Sequence, residues 1–258
     1  MWFTIFPRKI GAKGFNASTS TNLKAVETLP LAPPTWNSPR CKWYMLGNGP
    51  DPNNPPANPK GVGDCVVAGL CHAIMAVGKF LGLPGYGFTA VKAVAAYFSM
   101  TGGADSGLNP PGVLEEWEAG TLPAAAATLF GNKCGPMVTL DPKNIEQIKA
   151  AIATFGWVGI GVNLQQAQED QFARGQKWDY VPGSPTVGGH FVVLTGYDKA
   201  GVGPYTLSWA KGFRSTWGFV TNTAMEAYTG VLPPVVEAGK YVSPVAALDG
   251  YCATLPGA

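Results

Sequence analysis

Two short segments of this chain carry residue types that can do nucleophilic chemistry together. Gly63-Asp64-Cys65 precedes a long apolar, helix-like run, and Gly188-Gly189-His190 opens the apolar stretch Phe191-Val192-Val193-Leu194 far downstream. A cysteine at the start of a helix has free N–H groups and the positive end of the helix dipole beside its sulfur, both of which favour a thiolate. A histidine fixed at the start of a strand supplies the base that takes the thiol proton. Cys65 is therefore the candidate nucleophile and His190 the candidate base, distant in sequence and expected to meet in space.

The neighbours of these two residues modify that chemistry. Asp64 is expected to be a helix N-cap, accepting backbone N–H bonds, and its charge beside the sulfur opposes thiolate formation. The chain has 2 histidines, and the other, His72, lies two turns along the same helix from Cys65, about 10 Å away and beyond hydrogen-bond reach. It is expected to be a packed structural histidine. A base of this kind needs a polar partner on its far ring nitrogen, and Ser208, on the predicted strand after the turn at Gly196-Tyr197-Asp198, is the candidate. A hydroxyl orients an imidazole less firmly than an amide or carboxylate does. Trp209 and Trp217 are expected to pack in the core or to shield the pair from water.

The elements that must position these groups follow from pattern. A largely buried helix is expected from residue 65 to the Gly82-Leu83-Pro84-Gly85 break, then helices over 89 to 100, 111 to 119 and 144 to 155. Strands are expected over 157 to 162, 191 to 197, 205 to 209 and 217 to 220. Helices dominate early and strands late, an α+β layout. Residues 1 to 40 lack sustained periodicity and read as an extended arm: a propeptide-like segment, a strap on its own domain or a reach onto a neighbour. Residues 41 to 258 read as one domain, helical to about 155 and β-rich from about 156. The proline-rich segment 49 to 61 must be a surface loop.

Composition narrows the function. At 258 residues the chain can bury a substantial core, and with 13% charged residues, 34 Gly and 23 Pro its surface is poor in charge and rich in loops. A formal charge of +2 offers no electrostatic case for nucleic acid. The 5 cysteines, Cys41, Cys65, Cys71, Cys134 and Cys252, include no CxxC pair, and with so few histidines no metal site and no cofactor are expected. An odd count leaves at least one thiol free in a monomer; pairings of Cys41 with Cys71, Cys134 or Cys252 stay open in an oxidising compartment. The first residues place apolar side chains before Arg8 and Lys9, the reverse of a secretory leader, and no run reaches the length of a membrane span. Synthesis in the cytoplasm is expected.

Three blocks in order, Gly63-Asp64-Cys65, Gly188-Gly189-His190-Phe191-Val192-Val193-Leu194-Thr195-Gly196-Tyr197-Asp198, and Ser208-Trp209-Ala210-Lys211-Gly212 through Thr216-Trp217-Gly218, resemble the cysteine, histidine and NSWG…WG blocks of papain-like cysteine peptidases. With Met45-Leu46-Gly47-Asn48 ahead of Gly63-Asp64-Cys65, the chain is similar to a little-characterised bacterial and bacteriophage branch of that fold, over about residues 42 to 232. The resemblance implies a helical N-terminal lobe, with the Cys helix at its centre, packed on a C-terminal antiparallel β-sheet lobe. It implies Cys65 as nucleophile, His190 as base and acid, and Ser208 where the family's orienting asparagine sits. Asn48 would stand for the oxyanion-hole glutamine, with Asn58 as a fallback because the loop 49 to 61 separates Asn48 from Cys65. Serine for asparagine weakens the base, and Asp64 raises the thiol.

The leading expectation is a papain-like thiol hydrolase that cleaves a peptide or amide bond of a peptide or protein substrate. The competing class keeps the fold without turnover, as a virion assembly or decoration protein that contacts copies of itself or virion neighbours through the arm. A related acyl transfer, such as amidation or transglutamination, would use the same pair.

Overall fold

The computed structural model describes residues 24–25, 61–80, 88–197 and 203–233. In chain order the elements are β1 (Lys24–Ala25), α1 (Cys65–Phe80), α2 (Ala90–Met100), α3 (Pro110–Ala119), α4 (Ala124–Phe130), β2 (Met137–Leu140), α5 (Ile145–Phe155) and β3 (Val158–Gln165). They continue with α6 (Gln166–Ala173), β4 (Thr186–Tyr197), β5 (Pro204–Ser208), β6 (Lys211–Arg214), α7 (Trp217–Thr223) and β7 (Ala224–Gly230).

Most helix limits are written locally. Thr89 caps α2 by accepting from the Lys92 N–H, and Asn109 and Asn144 do the same for α3 and α5. Helices α3 and α5 end at Gly120 and Gly156, both left-handed, where a side chain would be strained. Helix α1 is apolar all round, the signature of a core helix, and residues 65–78 are buried on every side.

The described strands form one sheet in the order β1-β2-β7-β3-β4-β5-β6, antiparallel throughout except for the β1–β2 pair. Lys24 and Ala25 pair with Val138 and Thr139, so this part of the expected arm lies along β2; the rest of the arm and the proline-rich loop before Gly61 fall outside the described residues. Helix α1 packs on β3 and β4. Its Gly69 and the strand residue Gly159 make that contact close, because a Cβ on either would meet the Phe191 ring, at 2.6 and 2.4 Å. Phe191 thus fills a slot between helix and sheet, and its burial is worth about 1.5–3 kcal/mol. Gly159→Ala overpacks that slot, and a loss of about 1–3 kcal/mol in urea unfolding is expected. An unchanged midpoint would mean that the Phe191 ring shifts aside without cost.

One expected element is corrected. Residues 217–220 are not a strand but the first turn of α7. Trp, Phe and Val favour strands intrinsically, but the Thr216 hydroxyl accepts the Phe219 N–H at 2.9 Å and starts a helix there. Strand β2 falls before residue 155, and helices α6 and α7 fall after it.

Candidate active site

Cys65 is the first residue of α1, and the Asp64 carbonyl takes the first helical bond, from the Ala68 N–H at 2.9 Å. The backbone N–H groups of Phe191, Val66 and Cys65 itself act on the thiol in favour of its ionised form. Phe191 follows His190 directly on β4, the strand on which α1 packs. Cys65 is only 3% exposed. Burial pushes its thiol up to about 12, the Phe191 N–H pulls the other way, and the Asp64 charge adds to the rise. Asp64 is fully buried, and the Cys71 thiol is raised by its own burial and then by the Asp64 charge. Cys65, Cys71 and Cys134 are free thiols; Cys41 and Cys252 lie outside the described residues.

His190 is buried as deeply, and its Nε2 lies 2.7 Å from Ser208 Oγ. Ser208 ends β5, which pairs with β4, and this brings its hydroxyl to the imidazole. Burial, then the charge of the buried His72, pushes the imidazole down to about 3. At neutral pH the resting site therefore holds a neutral thiol and a neutral imidazole.

Two indoles enclose the imidazole. Trp209 stacks on it at 4.9 Å between ring centroids and 28° between planes. Trp209 and Ala210 form the two-residue turn between Ser208 and Lys211, with φ of 45° and 59°. Both values lie in the left-handed region, which costs an L residue roughly 1–2 kcal/mol, and such turns normally carry Asn-Gly. The cost is met at the point that lays the indole over His190.

The second indole is Trp178, fully buried, 5.3 Å from Trp209 and 6.5 Å from His190. Sequence reasoning passed over it, because a tryptophan in a polar loop shows no periodicity; its place just before the histidine strand was the available signal. The loop around it is pinned by buried glutamines. Gln165 Nε2 donates to the carbonyls of Val181 and Ser184, and Gln168 Nε2 donates to that of Asp179 at 2.6 Å. Trp217, expected to shield the pair, lies at the start of α7 with Lys149 of α5 over its ring at 5.6 Å. Asn48 and Asn58 lie outside the described residues. Among the described residues no helix is long and apolar enough to cross a membrane.

No protein-family model and no curated protein matches this sequence. Solved structures do match. Xylellain, a cysteine protease from Xylella fastidiosa, superposes with a TM-score of 0.62 at 15% identity, over 86% of this chain and 96% of that one. The proCathepsin B S9 of Trypanosoma congolense gives 0.61 at 13%, over 90% and 89%. The cysteine protease and lectin-like domains of Cwp84, a surface layer associated protein of Clostridium difficile, give 0.52 at 14%, over 82% of this chain and 56% of that one. The likeness is one of fold, and the chain has the α+β papain-like fold.

Proposed function

We propose that this chain is a papain-like thiol hydrolase acting on a peptide or amide bond, with Cys65 as nucleophile, His190 as base and acid, and Ser208 as the group that orients the imidazole. The observation that carries this reading is the 2.7 Å contact of His190 Nε2 with Ser208 Oγ, made from the strand on which the Cys65 helix packs. With Nε2–H donated to Ser208, Nδ1 is the free base. The thiol proton passes to Nδ1 as sulfur bonds to the substrate carbonyl carbon. The C–N bond then breaks, the amine leaves with that proton, and water hydrolyses the thioester. The Cys65 N–H, with Asn48 as its expected companion, stabilises the oxyanion. Trp209 and Trp178 keep the imidazole out of water.

Burial holds thiol and imidazole apart in proton affinity, so substrate must open the site before the proton moves. A shift of one unit corresponds to about 1.4 kcal/mol, so even partial opening acts strongly on both groups. Incubation with unfolded protein substrates, read by mass spectrometry of new peptide ends, should show cleavage by the native chain and none by Cys65→Ala. Equal cleavage by both would remove Cys65 from the chemistry.

A second reading rests on one observation. Cys65 and His190 are each 3% exposed, the condition expected of a papain-like scaffold kept for assembly, as a virion component that meets its neighbours through the N-terminal arm. No cleavage of any substrate, together with self-association that depends on residues 1–40, would favour it.

A further inference from the structure

Asp105 lies on the loop between α2 and α3, is exposed, and uses one oxygen for two bonds. Its Oδ1 accepts the Gly63 N–H at 2.8 Å and the Tyr97 O–H at 2.7 Å. Tyr97 is fully buried on α2, and its phenol oxygen accepts the Gly107 N–H at 2.9 Å. Gly107 has φ of 75°, a conformation that turns its N–H back to the phenol at little cost to glycine. The result is a chain of bonds from Gly107 through Tyr97 and Asp105 to Gly63, two residues ahead of Cys65. Hydrogen bonds to an ionised acceptor are about twice as strong as neutral ones.

The geometry points to Asp105 and Tyr97 as positioning residues for the nucleophile: they hold the Gly63–Cys65 turn in place and so fix where the Cys65 sulfur and N–H are presented. Two facts support this. Gly63 is buried although its partner carboxylate is exposed, so the bond reaches inward from the surface to the turn. Gly63 precedes the helix, and its N–H therefore has no helical partner, so without Asp105 a buried donor would be left unpaired, a cost of about 1–3 kcal/mol.

This inference rests on Cys65 being the reacting thiol, but its test does not depend on turnover. Amide hydrogen exchange over residues 61–66, and iodoacetamide labelling of Cys65, Cys71 and Cys134 from pH 6 to 10, would be compared in the native chain, Asp105→Ala, Asp105→Asn and Tyr97→Phe. In Asp105→Ala, exchange at the turn should rise tenfold or more. Cys65 labelling at pH 9 should rise by a similar factor, with its pH profile moving toward that of an ordinary thiol, while Cys71 and Cys134 stay as in the native chain. Asp105→Asn keeps an acceptor oxygen for Gly63 and should return both readings to within about threefold of native; Tyr97→Phe should fall between. Unchanged exchange and labelling in Asp105→Ala would overturn the inference. So would equal acceleration of all three cysteines, which marks general destabilisation, or an asparagine variant no better than alanine. Loss of peptide cleavage in native protein with these labelling results intact would instead count against the hydrolase reading alone.

Discussion

His190→Ala is expected to lower turnover of a cleavable peptide by roughly 10²–10⁴-fold, the usual contribution of a positioned general acid and base. The loss should fall on kcat with KM little changed, because the imidazole moves protons and binds no remote part of the substrate. Ser208→Ala should cost less, on the order of tenfold, since the hydroxyl acts through the imidazole and the stacked Trp209 still restrains the ring. Steady-state kinetics of the two variants on one fluorogenic peptide would check the order. A serine variant as damaged as the histidine variant would mean that Ser208 does more than orient the ring, and a histidine variant with native kcat would remove His190 from the mechanism.

Stability should depend steeply on pH on both sides of neutrality. The imidazole of His190 is held at about 3, against 6.5 for the free group. Between those values the unfolded chain binds the proton and the folded chain does not, so stability is complete above about 6.5 and falls as pH drops toward 3. The full span is on the order of 5 kcal/mol. Cys65 mirrors this on the alkaline side: its thiol is raised from 9.0 to about 12, so stability is present below 9 and is lost as pH climbs through 12. Urea unfolding at pH 4.5 and pH 7 should show a large loss for the native chain and a much smaller one for His190→Gln, whose amide does not titrate. Carboxylates contribute equally to both proteins, so the difference between them isolates the histidine. Parallel losses would mean that the imidazole is hydrated and already titrates in its ordinary range.

Whatever depended on strong local signals was readable from the chain. The capped helices α2, α3 and α5 follow from Thr89, Asn109 and Asn144 at their starts and from Gly120 and Gly156 after two of them. The long, mostly apolar run after Cys65 read as a largely buried helix, and α1 is one. The likeness of three ordered blocks to papain-like peptidases led to the same α+β fold that the solved structures share.

The elements that escaped were short or locally misleading. Helix α6 is mostly polar, with Gln168 its one buried side chain, so it has no apolar stripe to find. Strand β7 reads Ala-Met-Glu-Ala-Tyr-Thr-Gly and lacks clean alternation because its last four residues are all buried. Residues 217–220 have strand-forming side chains, yet the cap from Thr216 outweighs their preference.

The site divides in the same way. Of the proposed site, Cys65, His190 and Ser208 were singled out by residue type and order, and the structure shows the contact of His190 with Ser208. Trp178 and the Asp105–Tyr97 bonds were not, since each links segments far apart in sequence through backbone groups that no residue pattern encodes. The extent of burial was also hidden. Sequence placed the thiol at a helix start that favours ionisation, with the Asp64 charge opposing it, whereas enclosure is the larger effect and raises the thiol.

The most direct measurement is to trap the acyl-enzyme. The native chain, Cys65→Ala and His190→Ala would each be incubated with a panel of peptidyl thioesters at pH 7, quenched in acid, and mapped by mass spectrometry. The account predicts an acyl group on Cys65 of the native chain, none on Cys65→Ala, and formation slowed at least a hundredfold in His190→Ala. Acylation absent from Cys65, or equally fast without His190, would contradict it and leave a papain-like scaffold without papain-like chemistry.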